Sequence, residues 1–278
     1  MLLNRARFLC SASGVMAVLL AAGGAMAGGV VGPTEKDTIG TFVTATRTFF
    51  LRNSNSSGSA AVTVSFGPAG SVPAMGNFDG TNATDTIGVY LASTGFFYLK
   101  NTNTPGNASI NPFRFGPAGG SLQLLVGNWN GTGGDSIGLY DSVNGKFLLR
   151  NTNSGGNADI TASFGAKNAG LIGLRGNWAG GDTIDGIGVY NPATGTFYLK
   201  NNPSSGTADL TFKFGGAGQG LIPVVGNWNG DDTDTVGVYN PATQTFFLRN
   251  TNSSGPAELT FRFGGTGSTP VAGNYNGD

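Results

Sequence analysis

From Asp37 onward, apolar residues come in short runs broken by Gly, Asn, Asp, Ser and Pro, and the runs recur in sets of four. The tetrad Asp-Thr/Ser-Ile/Val-Gly stands at Asp37, Asp85, Asp135 and Asp234, with Asp185-Gly-Ile-Gly as a variant, so successive units are offset by 48, 50, 50 and 49 residues. A fixed period of this length marks a repeat architecture in which each unit is one supersecondary block. The first run of a unit reads as in Thr86 to Tyr90 and Thr235 to Tyr239. A glycine occupies its middle in all five copies, at Gly40, Gly88, Gly138, Gly188 and Gly237. Glycine weakens a strand interior, so its recurrence predicts a close approach to the backbone there.

The second run ends on a basic residue, at Arg52, Lys100, Arg150, Lys200 and Arg249. It carries large apolar groups on both faces: Phe197 and Leu199 on one, Tyr198 on the other. That pattern suits a strand whose sheet is sandwiched between two others. The third run alternates, Leu210, Phe212 and Phe214 against Thr211 and Lys213, which marks a half-exposed strand. One copy contains Pro112, which an edge strand tolerates. The fourth run is short and carries Pro73, Pro223 and Pro270, as a crowded innermost strand beside a channel would.

Four strands per unit, with two edges and a middle buried on both faces, describe a propeller blade. The expected fold is all-β: a five-bladed β-propeller of four-stranded repeats, each about 48–50 residues, with repeats starting near 37, 85, 135, 185 and 234. A β-solenoid is the rival, but it does not account for strand character that differs consistently within each unit. The first unit begins inside a repeat and the chain stops at Asp278 inside another. The C-terminal strand should therefore pair with the N-terminal strands, one blade combining Thr269 to Asn274 with the three strands between Asp37 and Phe66.

Composition narrows the function. Formal net charge is zero and charged residues are 11% of the 278, so nothing suggests electrostatic attraction to nucleic acid or an anionic membrane. Arg5 and Arg7, the apolar stretch Phe8 to Leu20 and the Ala25-Met26-Ala27 box read as a secretory signal over residues 1–27. Residues 28–36 are a short linker and 37–278 the propeller. Cys10 is the single cysteine and there is no histidine, so a chain cleaved after Ala27 has no disulfide, thiolate nucleophile or His-based zinc site. No second long apolar stretch occurs, and a secreted or cell-surface monomer without a membrane span is expected.

The stretch "GNWNGDDTDTVGVY", Gly226 to Tyr239, is spaced like a calcium loop, with amides at two of its first three ligand positions. Together with the residues that follow, "GNWNGDDTDTVGVYNPATQTFFLRN" resembles the bacterial repeats related to FG-GAP and VCBS propellers, and the resemblance covers nearly the whole chain after the signal. Blade count and repeat length are also similar to those of the five-bladed lectin tachylectin-2. The first resemblance implies a propeller used for adhesion or binding, with loops that commonly hold calcium. Here Asn77, Asn128, Asn177, Asn227 and Asn274 stand where the first loop aspartate is usual. Only the loop after Trp228 keeps several acids, making Asn227, Asn229, Asp231 and Asp234 one weak calcium candidate, with a dissociation constant on the order of 0.1–1 mM. In the other loops, Asn and the following Gly read as a metal-free turn. No cofactor is required.

Phe78, Trp129, Trp178, Trp228 and Tyr275 share one repeat position. They are either sugar-stacking platforms, one per blade, or plugs between blades. The five basic residues form either a cationic ring or pairs with Asp159, Asp209 and Glu258. Acids that recur once per blade suit structure better than an active site, so no enzyme is expected. Two classes remain: a secreted module binding a glycan or protein, multivalent if its repeats act together, and a structural or adhesive unit of the cell surface or matrix.

Overall fold

The computed structural model describes residues 36–81, 84–119, 122–181 and 183–277. The signal reading of residues 1–27, the linker apart from Lys36, and Asp278 lie outside the described residues. The described residues form twenty strands and no helix. No helix among them is therefore long and apolar enough to cross a membrane.

The strands group into five antiparallel four-stranded sheets, one per repeat. Blade 1 holds β1 (Thr38–Val43), β2 (Thr48–Leu51) and β3 (Val62–Ser65). Blade 2 is β4 (Val72–Gly76), β5 (Thr86–Leu91), β6 (Phe96–Leu99) and β7 (Ile110–Arg114). Blade 3 is β8 (Gln123–Gly127), β9 (Ser136–Asp141), β10 (Lys146–Leu149) and β11 (Ile160–Ser163). Blade 4 is β12 (Ile172–Gly176), β13 (Gly186–Asn191), β14 (Thr196–Lys200) and β15 (Leu210–Lys213). Blade 5 is β16 (Ile222–Gly226), β17 (Thr235–Asn240), β18 (Thr245–Leu248) and β19 (Leu259–Arg262). The last strand, β20 (Ser268–Gly273), joins blade 1 beside β1, in register from Thr38 opposite Gly273 to Val43 opposite Ser268. The expected two-ended closure is therefore present, and backbone hydrogen bonds complete blade 1 from both ends of the propeller.

The fourth run of each repeat is the innermost strand, as its proline and small residues suggest. Successive inner strands neighbour one another in a closed cycle, β4, β8, β12, β16, β20 and back to β4. They enclose a channel of about 180 Å³, lined by Pro73, Leu124, Arg175, Pro223 and Pro270 among others. Pro112 lies in the outermost strand β7, where the register with β6 shifts between Phe97 and Leu99. A bulge and a proline at a sheet edge discourage pairing with another chain.

The apolar core lies between blades. One cluster joins Phe42, Phe49 and Leu51 of blade 1 to Met75, Ile87 and Val89 of blade 2, and the other seams repeat this scheme. Within each blade a buried aromatic pair, such as Tyr239 and Phe246, sits with ring centroids 4.5–4.6 Å apart. Tilted pairs at this spacing contribute about 0.5–1.5 kcal/mol beyond area burial. The mid-strand glycines lie under this packing. A Cβ at Gly237 would meet Leu248 at 2.6 Å, Val224 at 2.8 Å and the Phe247 carbonyl oxygen at 3.0 Å.

Candidate functional site

Each inner strand ends in Gly-Asn, and that Asn meets the recurring aspartate of the next blade. Asp135, Asp185, Asp234, Asp37 and Asp85 accept the backbone N–H of Asn77, Asn128, Asn177, Asn227 and Asn274 on Oδ2, at 2.9–3.0 Å. In return, each aspartate N–H donates to the carbonyl of the same Asn at 2.6–2.9 Å. Five two-bond clasps thus close the five seams. The glycine before each Asn makes room: a Cβ at Gly127 would lie 2.6 Å from the Asp185 carboxylate. Threonine or serine follows four of the aspartates for a related reason. The Thr235 hydroxyl lies 2.7 Å from the Arg249 carbonyl and 3.3 Å from that of Gly226, bridging strands on either side.

The Asn side chain closes its own loop. Asn Oδ1 accepts the N–H of the glycine three residues on, in all five copies, at 2.8–3.1 Å. The four calcium candidates have these positions. Asn227 Oδ1 accepts from Gly230 and Asp231. Asn229 donates to Asp231 Oδ2 at 2.7 Å, and Asp231 Oδ1 accepts the Thr233 N–H at 3.1 Å. Asp234 belongs to the clasp with blade 4, where Arg175 Nη1 also lies 3.3 Å from its carboxylate. Among the described residues no group of three or more His, Cys, Asp or Glu is arranged to hold a metal ion.

Electrostatically the clasps form one system. Burial pushes the Asp85 carboxyl well above the ordinary carboxylate range, and the charges of Asp135 and Asp37 push the same way. Asp135 is raised mainly by burial. Burial brings Asp185 up to about 7, against the pull of Arg175. Burial disfavours charge on Arg175, but Asp185, Asp234, Asp135 and Asp37 together hold its guanidinium above its ordinary value.

The five repeat aromatics are buried, at 1–6% exposure. Trp129 packs over Gly127 and Gly138, and Trp178 over Gly176. Their indole N–H groups donate to the carbonyls of Ser136 at 3.1 Å and Ile187 at 3.2 Å. These rings fill the blade interiors and seams, with little surface open to solvent.

The basic residues are also enclosed, each by the loop that follows it. Arg150 donates to the Asn157 carbonyl and to the hydroxyls of Thr152 and Ser154. Arg249 donates to the Pro256 carbonyl, Thr251 and Ser253. The expected acid pairs occur: Arg150 with Asp159 at 3.2 Å, Lys200 with Asp209 at 4.0 Å and Arg249 with Glu258 at 3.5 Å. Arg52, Lys100 and Arg249 also lie 5.5–5.8 Å from the ring centroids of Phe263, Phe66 and Phe214 in the preceding blade.

What the repeat pattern did not disclose is a groove on the outside of the seams. It is well formed at three of them. Between blades 3 and 4, about 310 Å³ is lined by Gly165, Ala166, Tyr198 and Ala208. Between blades 1 and 2, about 380 Å³ is lined by Gly67, Pro68, Tyr98 and Ala108. Between blades 5 and 1, about 470 Å³ is lined by Gly264, Gly265, Phe50 and Ala60. Tyr98, Tyr198 and Phe50 occupy equivalent places in their middle strands and are half-buried. The sequence signal was the large group on the second face of run two, but the opposite wall comes from another repeat.

No protein-family model matches the chain, and no curated protein matches it. A solved structure described as BBS1N in complex with ARL6DN, soaked with mercury, is similar, with a TM-score of 0.37 and 11% identity. The match covers 78% of this chain and 59% of that chain.

Proposed function

We propose that this propeller is an exported, non-enzymatic binding module that holds an extracellular glycan or protein through its inter-blade grooves, acting as a monomer and at several grooves together. The single observation carrying the reading is the groove found in equivalent form at three seams, each with a half-buried aromatic from the middle strand. Volumes of 310, 380 and 470 Å³ fall within the range of small-molecule sites, about 300–1,000 Å³. A Tyr ring offers rigid contact area at low entropic cost, with a hydroxyl at its rim. The non-enzymatic reading is supported by the seam aspartates, which recur once per seam in the same backbone clasp. Export is supported by the Arg5 to Ala27 signal pattern, and the loop sequence favours a repeat related to the FG-GAP and VCBS group.

The test begins with protein recovered from the culture medium, whose intact mass should correspond to a chain starting at Gly28. That protein is applied to a glycan array beside a variant carrying Phe50→Ala, Tyr98→Ala and Tyr198→Ala. Linked weak sites gain about 10²–10⁴-fold in avidity. The triple variant should therefore lose most of the array signal, while each single variant loses a smaller part. A folded triple variant that binds the same glycans equally well would remove the grooves from the reading. A mass that retains residues 1–27 would remove export.

A further inference from the structure

The five seam aspartates gather at the end of the channel where the inner strands finish. They sense one another electrostatically, Asp85 with Asp135 and Asp37, and Asp185 with Asp234 and Asp135. One cation stands among them. Arg175 lines the channel one residue before Gly176, and Met75, Val126, Val225 and Ala272 occupy its place in the other blades. Tyr275 also stands at this end: its buried hydroxyl has no hydrogen-bond partner among the described residues and senses Asp85 and Asp37. Asp79, Asp231 and Asp232 belong to the loops that follow the clasps, and Lys36 precedes Asp37 in the chain. Five carboxylates, two buried and three half-buried, thus sense one guanidinium. Like charges brought together out of water do not all ionise near neutral pH.

We infer that the Asp85, Asp135 and Asp185 carboxyls of this ring act as a proton-holding lock, which draws the blades together most firmly in mild acid and loosens the seams as the pH rises through neutrality. The clasp geometry allows it. A protonated carboxyl keeps a carbonyl oxygen to accept the Asn N–H, so protonation removes repulsion without removing the hydrogen bond. The sign follows from the raised carboxyls of Asp85, Asp135 and Asp185. Between the unfolded value of 3.8 and the folded value of about 7 for Asp185, the folded chain holds the extra proton. Stability from such a group is complete below the unfolded value and is lost as the pH rises through the folded one. Asp141 acts in the opposite sense at the acid end, because its bonds to Asn144 hold its carboxyl below the usual value.

The full chain is melted between pH 5 and 8.5 beside the double variant Asp85→Asn, Asp185→Asn, which keeps an acceptor oxygen at each clasp and carries no charge there. The wild-type midpoint should fall by about 5–10 °C from pH 5.5 to pH 8.5. The double variant should show a flatter profile and exceed the wild type at pH 8.5. Arg175→Met, which removes the guanidinium these carboxylates sense, should steepen the fall. Carbon-13 NMR of labelled aspartate supplies a readout that does not depend on any variant folding: in the native wild type, at least one carboxyl should titrate near pH 7. A wild type equally stable at both pH values, or a set of native carboxyls all titrating below about pH 5, would overturn the lock.

Discussion

At the scale of single residues, most recurring identities are explained by how near a neighbour comes. Gly237 stands where a side chain would meet Leu248, Val224 and a carbonyl oxygen within 3.0 Å. The carbonyl belongs to the paired strand and has little freedom to retreat. Gly237→Ala should therefore cost about 1–3 kcal/mol, the range for overpacking a well-filled core. In a domain of this size that lowers the melting midpoint by roughly 2–4 °C per kcal/mol, which calorimetry resolves. An unchanged midpoint would mean that the close approach does not constrain the position. The need for glycine was legible because it is local and repeated, and so was the Asn turn, whose partners are three residues apart. The task of the aspartate was not. Its clasp partner lies 57 or 58 residues away in three seams and 190 or 189 in the other two, beyond any spacing argument confined to one repeat.

Among elements, the segment joining the second and third strands of a blade does more than reverse the chain. It wraps the basic residue that ends the second strand, and it reaches the neighbouring blade. Ser205, Ser254 and Ser57 accept the outward N–H of Ser163, Lys213 and Arg262 at the preceding blade's edge strand, at 2.8–3.2 Å. Edge donors that would otherwise invite another strand are thereby satisfied. Arg249 organises one such loop and is itself buried at 6% exposure. Hydrogen bonds to charged groups contribute about 1.5–3 kcal/mol, so Arg249→Met should lose that order of stability. Arg249→Lys should lose less, since Lys100 and Lys200 hold the same loop in blades 2 and 4 by donating to the carbonyls of Asn107 and Thr207. Hydrogen exchange over residues 250–257 separates the two variants. Equal protection in both would show that the guanidinium does not organise the loop. The acid pairing across these strands was legible from antiparallel spacing, whereas the seryl caps and the grooves were not, because both arise only where two blades meet.

For the molecule as a whole, the ring closes without a covalent link. Blade 1 takes its three outer strands from the start of the propeller and its inner strand from the end, through six facing residue pairs between β1 and β20. The closing segment also supplies Val271 and Tyr275 to the seam with blade 2, and its Asn274 clasps Asp85. The place of β20 was legible from the repeat register, since a fourth run follows the last third strand just as it precedes each of the other blades, and β20 pairs with β1 accordingly. Its energetic weight follows from what its loss exposes. Without residues 268–278, β1 becomes a bare inner edge, the core shared by Phe42, Phe49 and Met75 opens, and the channel loses one of its five walls. Exposed apolar surface beside unpaired strand edges favours association between chains. The truncated chain is therefore expected to aggregate, or to melt far below the full chain with a broader transition, as calorimetry and light scattering would record. Adding the missing strand back as a separate peptide should partly restore the midpoint in proportion to its concentration, since a segment that binds only the folded form stabilises it by mass action. A truncated chain that melts like the intact one, and ignores the peptide, would mean that the ring does not depend on this closure.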